Sequence, residues 1–213
     1  VSLQVPVGSI TALLGRNGAG KTTTLKSILG LTPPSKGSIA FDGQEIQGQL
    51  AHKIASRGIG YVPEHRAIFT SLSVEENLRI AERERGDLAQ RSDFIFDVFP
   101  DLERLIKLPA GNLSGGQQQM LAIARALVPD NQLLLIDEPS EGLAPVIIEQ
   151  VMEAVRQLSA HTTILLVEQN FTMASNLADR YTIIEAGSSV KSGMMADLVE
   201  DQETIRRYLG ATT

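Results

Sequence analysis

The spacing of apolar positions changes repeatedly along the chain. Residues 9–15, SITALLG, form a short and nearly continuous apolar run, and KTTTLKSILG at 21–30 follows with helical spacing that Gly30 stops. Residues 37–43 (GSIAFDG) and 58–63 (GIGYVP) read as strands on either side of a helical segment near 50–57. From Ser73 the stretch SVEENLRIAERER opens on Ser-x-x-Glu, a capping box, and continues as a helix with charged i,i+4 neighbours. Residues 66–129 accordingly read as a helical block. Beyond Pro129 come a strand at 133–136 (LLLI), a helix near 146–158, a strand at 162–167 (TTILLV), a helix near 171–178, a strand at 180–187 (RYTIIEAG) and an amphipathic helix at 202–210. Residues 1–5, VSLQV, alternate like a strand, which places the first residue inside a domain. Strands alternating with helices predict an α/β fold: a mostly parallel sheet flanked by helices, with an inserted helical subdomain.

Composition narrows the possibilities. With 213 residues, 43% of them hydrophobic, the chain can bury one sizeable core without covalent staples. It has no cysteine, which excludes disulfides and thiolate metal sites. No apolar run approaches the roughly 18–20 residues of a bilayer span, and the first residues lack the layout of a signal peptide. A net charge of −6 argues against the broad basic face that nucleic acid attracts. The charges of AERERGD form a solvated face, and His52, His65 and His161 show no ligand spacing.

Residues 15–22, GRNGAGKT, satisfy G-x-x-x-x-G-K-[ST] between a predicted strand and a predicted helix. Glycines let the backbone wrap a phosphate group so that the N–H groups of Asn17, Gly18, Ala19 and Gly20 point inward, and the helix start adds favourable partial charge. Lys21 is expected to reach the β- and γ-phosphates, Thr22 to offer its hydroxyl to Mg²⁺, and Thr23 to contact the α-phosphate. The run LLLI leads straight into Asp137 and Glu138, at the strand end where parallel sheets collect their ligands. Asp137 then faces the Mg²⁺ shell, and Glu138 orients or deprotonates the attacking water. This is the site of a P-loop NTPase core.

A second segment, NLSGGQQQMLAIARAL at 112–127, carries the sequence LSGGQ. With the phosphate loop upstream and Asp137–Glu138 downstream, it resembles the signature of ABC-type ATPases, a likeness that spans nearly the whole chain. The resemblance implies a single nucleotide-binding domain over 1–213, truncated at its N-terminus, with a core of 1–65 and 130–213 and a helical signature subdomain of 66–129. It also implies a head-to-tail pair in which Ser114, Gly115, Gly116 and Gln117 close over ATP held by the opposite subunit. An aromatic residue that stacks on adenine in this family would precede Val1.

Three departures from the general family pattern look like the ATPases of branched-chain (hydrophobic) amino acid importers, with amide and urea importers as close relatives. Glu64 stands where most members carry glutamine, Gln169 where most carry a histidine, and Ala144 where an aspartate is usual. Glu64 would still offer an oxygen to Mg²⁺, and Gln169 could donate to the γ-phosphate without taking a proton. His65 and Arg66 fall where such proteins change shape against a membrane subunit. The implied protein is an ATPase peripheral to the inner face of the cell membrane, using ATP and Mg²⁺, with transmembrane permease subunits and a second nucleotide-binding domain as partners. Two alternatives stand beside it: an ABC-type ATPase outside transport, and a nucleotide-dependent clamp with little hydrolysis. Repair and condensation ATPases insert a long coiled coil that this chain lacks, and Glu138 argues against the clamp.

Overall fold

A computed structural model describes residues 1–210. β1 (Ile10–Leu14) leads into α1 (Lys21–Ile28), and a small hairpin of β2 (Ala40–Phe41) and β3 (Gln44–Glu45) is followed by α2 (Ala51–Ala55) and β4 (Ile59–Val62). Next come α3 (Val74–Arg79), α4 (Asp87–Val98), α5 (Pro100–Arg104), a 3-10 turn at Ala110–Asn112 and α6 (Gly115–Leu127). The chain then alternates through β5 (Leu133–Asp137), α7 (Pro145–Ser159), β6 (Thr163–Glu168), α8 (Phe171–Leu177) and β7 (Arg180–Glu185). It finishes with β8 (Ser188–Met194), α9 (Met195–Glu200), α10 (Gln202–Thr204) and a π-helical turn at Ile205–Leu209.

The main sheet runs β4-β5-β6-β1-β7-β8. All neighbours are parallel except β8, which runs antiparallel to β7. Every residue of β1, β5 and β6 is buried because helices cover both faces, and that is why these strands read as unbroken apolar runs. On one face Leu14, Ile136 and Leu166 pack with Leu121 and Ile123 of α6 and Val155 of α7. On the other, Leu13, Leu135 and Val167 meet Leu25 of α1 and Ile54 of α2. Each such side chain contributes about 1.5–3 kcal/mol of burial, so the central strands have little freedom to slip. Val167 lies opposite both Leu13 and Asp137, and the ends of β1, β5 and β6 therefore share one edge.

Four expectations are corrected. Residues 1–5 form no strand: Ser2 meets β8 through the Ser189 hydroxyl, which accepts from Ser2 N–H at 2.8 Å and donates to Ser2 C=O at 2.8 Å. The alternation reflects Leu3 and Val5 packing on the core without a ladder. Residues 66–73 are not helical, since Arg66 and Ala67 have φ of 60° and 50°. Their loop is held by the buried Asn77, which accepts from Phe69 N–H and donates to Phe69 C=O, both at 2.9 Å. The helix opened by the Ser73–Glu76 capping box ends at Arg79, because Glu82 and Asp87 cap the next segment. Glu82 accepts from Gly86 and Leu88 N–H, and Asp87 from Arg83 and Glu84 N–H. Finally, β8 completes an edge that alternation of strand and helix does not predict; its hairpin with β7 turns at Ala186 and Gly187, with φ of 45° and 75°.

Candidate phosphate-binding site

The turn between β1 and α1 has little room. A Cβ on Gly15 would sit 2.5 Å from the Ile184 carbonyl oxygen of β7, so no larger residue fits. Gly20 holds φ of 108° at the N-cap of α1, turning the loop into the helix. Lys21 is 4% exposed. Its ammonium donates to the carbonyls of Gly15 at 2.8 Å and Arg16 at 3.2 Å and pairs with Glu138 Oε1 at 3.0 Å. All three of its donors are engaged, two by the loop itself and one by the acid at the end of the neighbouring β5 segment.

Asp137 ends β5 with no exposed surface. Thr22 Oγ1 donates to its Oδ1 at 3.5 Å, and the Tyr61 hydroxyl donates to its Oδ2 at 3.3 Å. Burial pushes the Asp137 carboxyl above its ordinary range, against the pull of those two donors. The Tyr61 phenol is pushed well above its usual value, by burial first and by Asp137 second, so it stays a proton donor. Glu138 has φ of 43° and donates its N–H to Val167 C=O at 2.9 Å. A non-glycine residue held there stores about 1–3 kcal/mol, a cost that recurs at ligand clamps and catalytic turns. The bend turns the Glu138 side chain back to Lys21.

A hard cation bound with a triphosphate needs one or two protein oxygens and takes the rest from phosphate and water. Thr22 and Asp137 are such a pair, and they fit Mg²⁺. No cluster of three or more His, Cys, Asp or Glu that could hold a metal by itself occurs among the described residues. Glu64 has other company: it neighbours Glu141, whose carboxyl it pushes upward, and it lies 3.8 Å from His65 Nδ1. Within the described residues no hydrogen bond joins Glu64 to Thr22 or Asp137.

Gln169 follows β6 as an exposed residue, just ahead of Asn170, whose side chain caps α8 by accepting from Met173 N–H at 3.1 Å. Asn17, Gly18 and Thr23 are exposed around the loop, whereas Ala19 is buried. Ser114 N-caps α6 in a capping box with Gln117, at 3.0 and 3.3 Å. Ser114 and Gly115 face outward, and no hydrogen bond among the described residues ties the start of α6 to Lys21, Thr22, Asp137 or Glu138.

The sequence profile described as "ABC transporter" matches residues 1–141. The chain belongs to the ABC transporter family. It is 42% identical to BraG of Pseudomonas aeruginosa, a high-affinity branched-chain amino acid transport ATP-binding protein, over 99% of this chain and 91% of BraG. Identity to LivF of Archaeoglobus fulgidus, a probable branched-chain amino acid transport ATP-binding protein, is 37%, covering 99% of this chain and 91% of LivF. The fold superposes on the crystal structure of a nucleotide-free ATP-binding cassette of an ABC transporter with TM-score 0.85 and 24% identity, covering 100% of this chain and 92% of that one. The α/β architecture with its mostly parallel, helix-flanked sheet is thus that of an ABC ATPase.

Within this ABC fold, Gly116 is constrained from inside the chain. A Cβ there would lie 2.7 Å from Ile147 Cγ2 and 3.0 Å from Ile147 Cδ1, where α7 crosses the start of α6. Gly116→Ala is expected to destabilise the protein by about 1–3 kcal/mol in urea unfolding. Ile147→Ala in the same chain should recover part of that loss; an unshifted midpoint for Gly116→Ala would contradict the packing.

Other residues around this ABC site are not legible from motifs. Tyr61 reaches Asp137 only because β4 and β5 pair in register. Arg66 places its guanidinium 3.4 Å from the position of a Cβ on Gly115. Arg125 of α6 donates to Ala67 C=O at 2.6 Å and lies over the Phe69 ring. Glu168, buried at the end of β6, accepts backbone hydrogen bonds from two loops, and burial pushes its carboxyl upward. The adjacency of Glu168 to Gln169 in the sequence is the one signal that points to it.

Proposed function

We propose that this chain binds and hydrolyses ATP as the motor subunit of an ABC importer for branched-chain or other hydrophobic amino acids, or for related amides or urea. The observation that carries hydrolysis is the meeting of Lys21, Thr22, Asp137 and Glu138 at one sheet edge, with Lys21 and Glu138 in direct contact at 3.0 Å. The solute class rests on the 42% identity to BraG along almost the whole chain. No helix among the described residues is long and apolar enough to cross a membrane, so passage of the solute falls to permease subunits on which this chain sits at the inner face.

In this reading Lys21 exchanges Glu138 for the β- and γ-phosphates, and Asn17 to Thr23 line the phosphate chain with N–H and hydroxyl donors. Thr22 and Asp137 would hold Mg²⁺, with Glu64 as a further oxygen, and the ion would supply charge neutralisation at the phosphate oxygens. Freed from Lys21, Glu138 orients and deprotonates water, while Gln169 donates to the γ-phosphate. Ser114, Gly115 and Gly116 of a second nucleotide domain, identical or related, close the site from outside, with Gln117 keeping the capping box that presents them. The core comprises 1–65 and 130–213, with 66–129 as the signature subdomain.

Release of phosphate from Mg-ATP by the purified protein, with Glu138→Gln as control, tests the hydrolysis reading, and co-purification of the adjoining membrane subunits tests the importer. Because an amide cannot accept a proton, the pH–rate profile should lack a limb near about 6.5 that a histidine at 169 would produce. Gln169→Ala should lower turnover about 10- to 100-fold; unchanged turnover would remove its role.

A further inference from the structure

Glu168 is 1% exposed, yet it carries a carboxylate at the end of a strand whose other residues are all buried too. Its two oxygens are divided between two loops. Oε1 accepts from Ser140 N–H at 3.1 Å, and Oε2 accepts from Asn170 N–H at 3.0 Å. Ser140 lies two residues after Glu138, and Asn170 one residue after Gln169. A third tie, from Glu138 N–H to Val167 C=O at 2.9 Å, fastens the start of the same loop to β6.

Residues 138–140 are therefore held at both ends by 167–168, and the segment between includes the left-handed Glu138. Two backbone donors converging from different loops need two acceptors on one rigid group, and a buried carboxylate meets that need where a hydroxyl or amide offers only one acceptor oxygen. Burying a carboxyl group is unfavourable unless such donors compensate it, so the two ties and the buried side chain depend on each other.

We propose that Glu168 is a positioning residue that locks the Glu138 loop to the Gln169 turn, so that the group assigned to the attacking water and the group assigned to the γ-phosphate hold a fixed relation and shift as a unit. This rests on the hydrolysis reading above and extends it. A glutamine in place of Glu168 would keep the volume but present an NH₂ to one of the two N–H donors, releasing one loop; substitution should therefore act on turnover and spare the phosphate loop that governs affinity.

The test compares wild type with Glu168→Gln, using Mg-ATP turnover at saturation, affinity for a fluorescent ATP analogue, and backbone amide exchange. The wild type should protect the Ser140 and Asn170 amides. Glu168→Gln should lower kcat about 10- to 100-fold, leave nucleotide Kd within about twofold, and accelerate exchange at one or both of those amides at least tenfold, with β1 and β5 unaffected. Wild-type turnover in the variant overturns the proposal, as does a joint fall of kcat, affinity and unfolding midpoint. Fast exchange at both amides in the wild type overturns it without any variant. A wild type no faster than Glu138→Gln would instead sink the hydrolysis reading, and the exchange arm would still decide whether Glu168 fastens the two loops.

Discussion

Lys21→Ala should weaken ATP binding by at least about 100-fold. Lys21 places a nearly buried ammonium at the centre of the phosphate loop, 4% exposed and held by three acceptors. Charge-assisted hydrogen bonds contribute about 1.5–3 kcal/mol each, and two of them to phosphate oxygens already exceed the ~2.7 kcal/mol of a 100-fold change. The substitution also leaves Glu138, whose side chain is 13% exposed, without its cation beside an incoming polyanion. Lys21→Arg should not restore affinity, because the nearly buried ammonium is matched to three acceptors, the carbonyls of Gly15 and Arg16 and the Glu138 carboxylate, in a geometry that a planar guanidinium fork does not reproduce. Calorimetric or fluorescence titration with ATP measures the change, with circular dichroism to establish that the variant folds. A Kd within threefold of wild type would separate the loop at 15–22 from nucleotide binding altogether.

What was legible in the chain was local or set by strand ends. GRNGAGKT declares its backbone shape through glycine and its charge through Lys21, and the Ser73 and Ser114 capping boxes are each written in four consecutive residues. The approach of Asp137 and Glu138 to that loop follows from parallel order alone, since β1 and β5 both pair with β6 and end together. Contacts made across the fold left no such mark. Nothing near Glu168 announces Ser140, 28 residues earlier, and nothing near Glu64 announces Glu141. The stretch from Ile80 to Arg85 has helical composition, and side-chain carboxylates accepting backbone N–H groups, together with Gly86 at φ 99°, break the run into two helices. The irregular path of 66–73 depends on Asn77 and Arg125, both donors from helices further along the chain.

Glu138→Gln separates binding from chemistry more sharply than any other change in the site. Glutamine preserves the length and one acceptor oxygen but cannot take a proton from water, and a positioned general base contributes typically about 10²–10⁴ in rate. Phosphate release should accordingly fall about 100- to 1,000-fold. Affinity for ATP should hold or rise, for a reason visible in the site: Glu138 is itself an acceptor of Lys21 at 3.0 Å and therefore competes with the γ-phosphate for the same ammonium. Neutralising it weakens that competitor and also lifts its repulsion of the buried Glu168 carboxylate. The pair of outcomes is diagnostic, because loss of the Lys21 contact through misfolding would lower affinity and turnover together, whereas loss of the base lowers turnover alone. Equal phosphate release by wild type and variant would leave ATP acting as a clamp between two copies of the domain, with the left-handed strain at Glu138 serving to present Lys21 and not to split water.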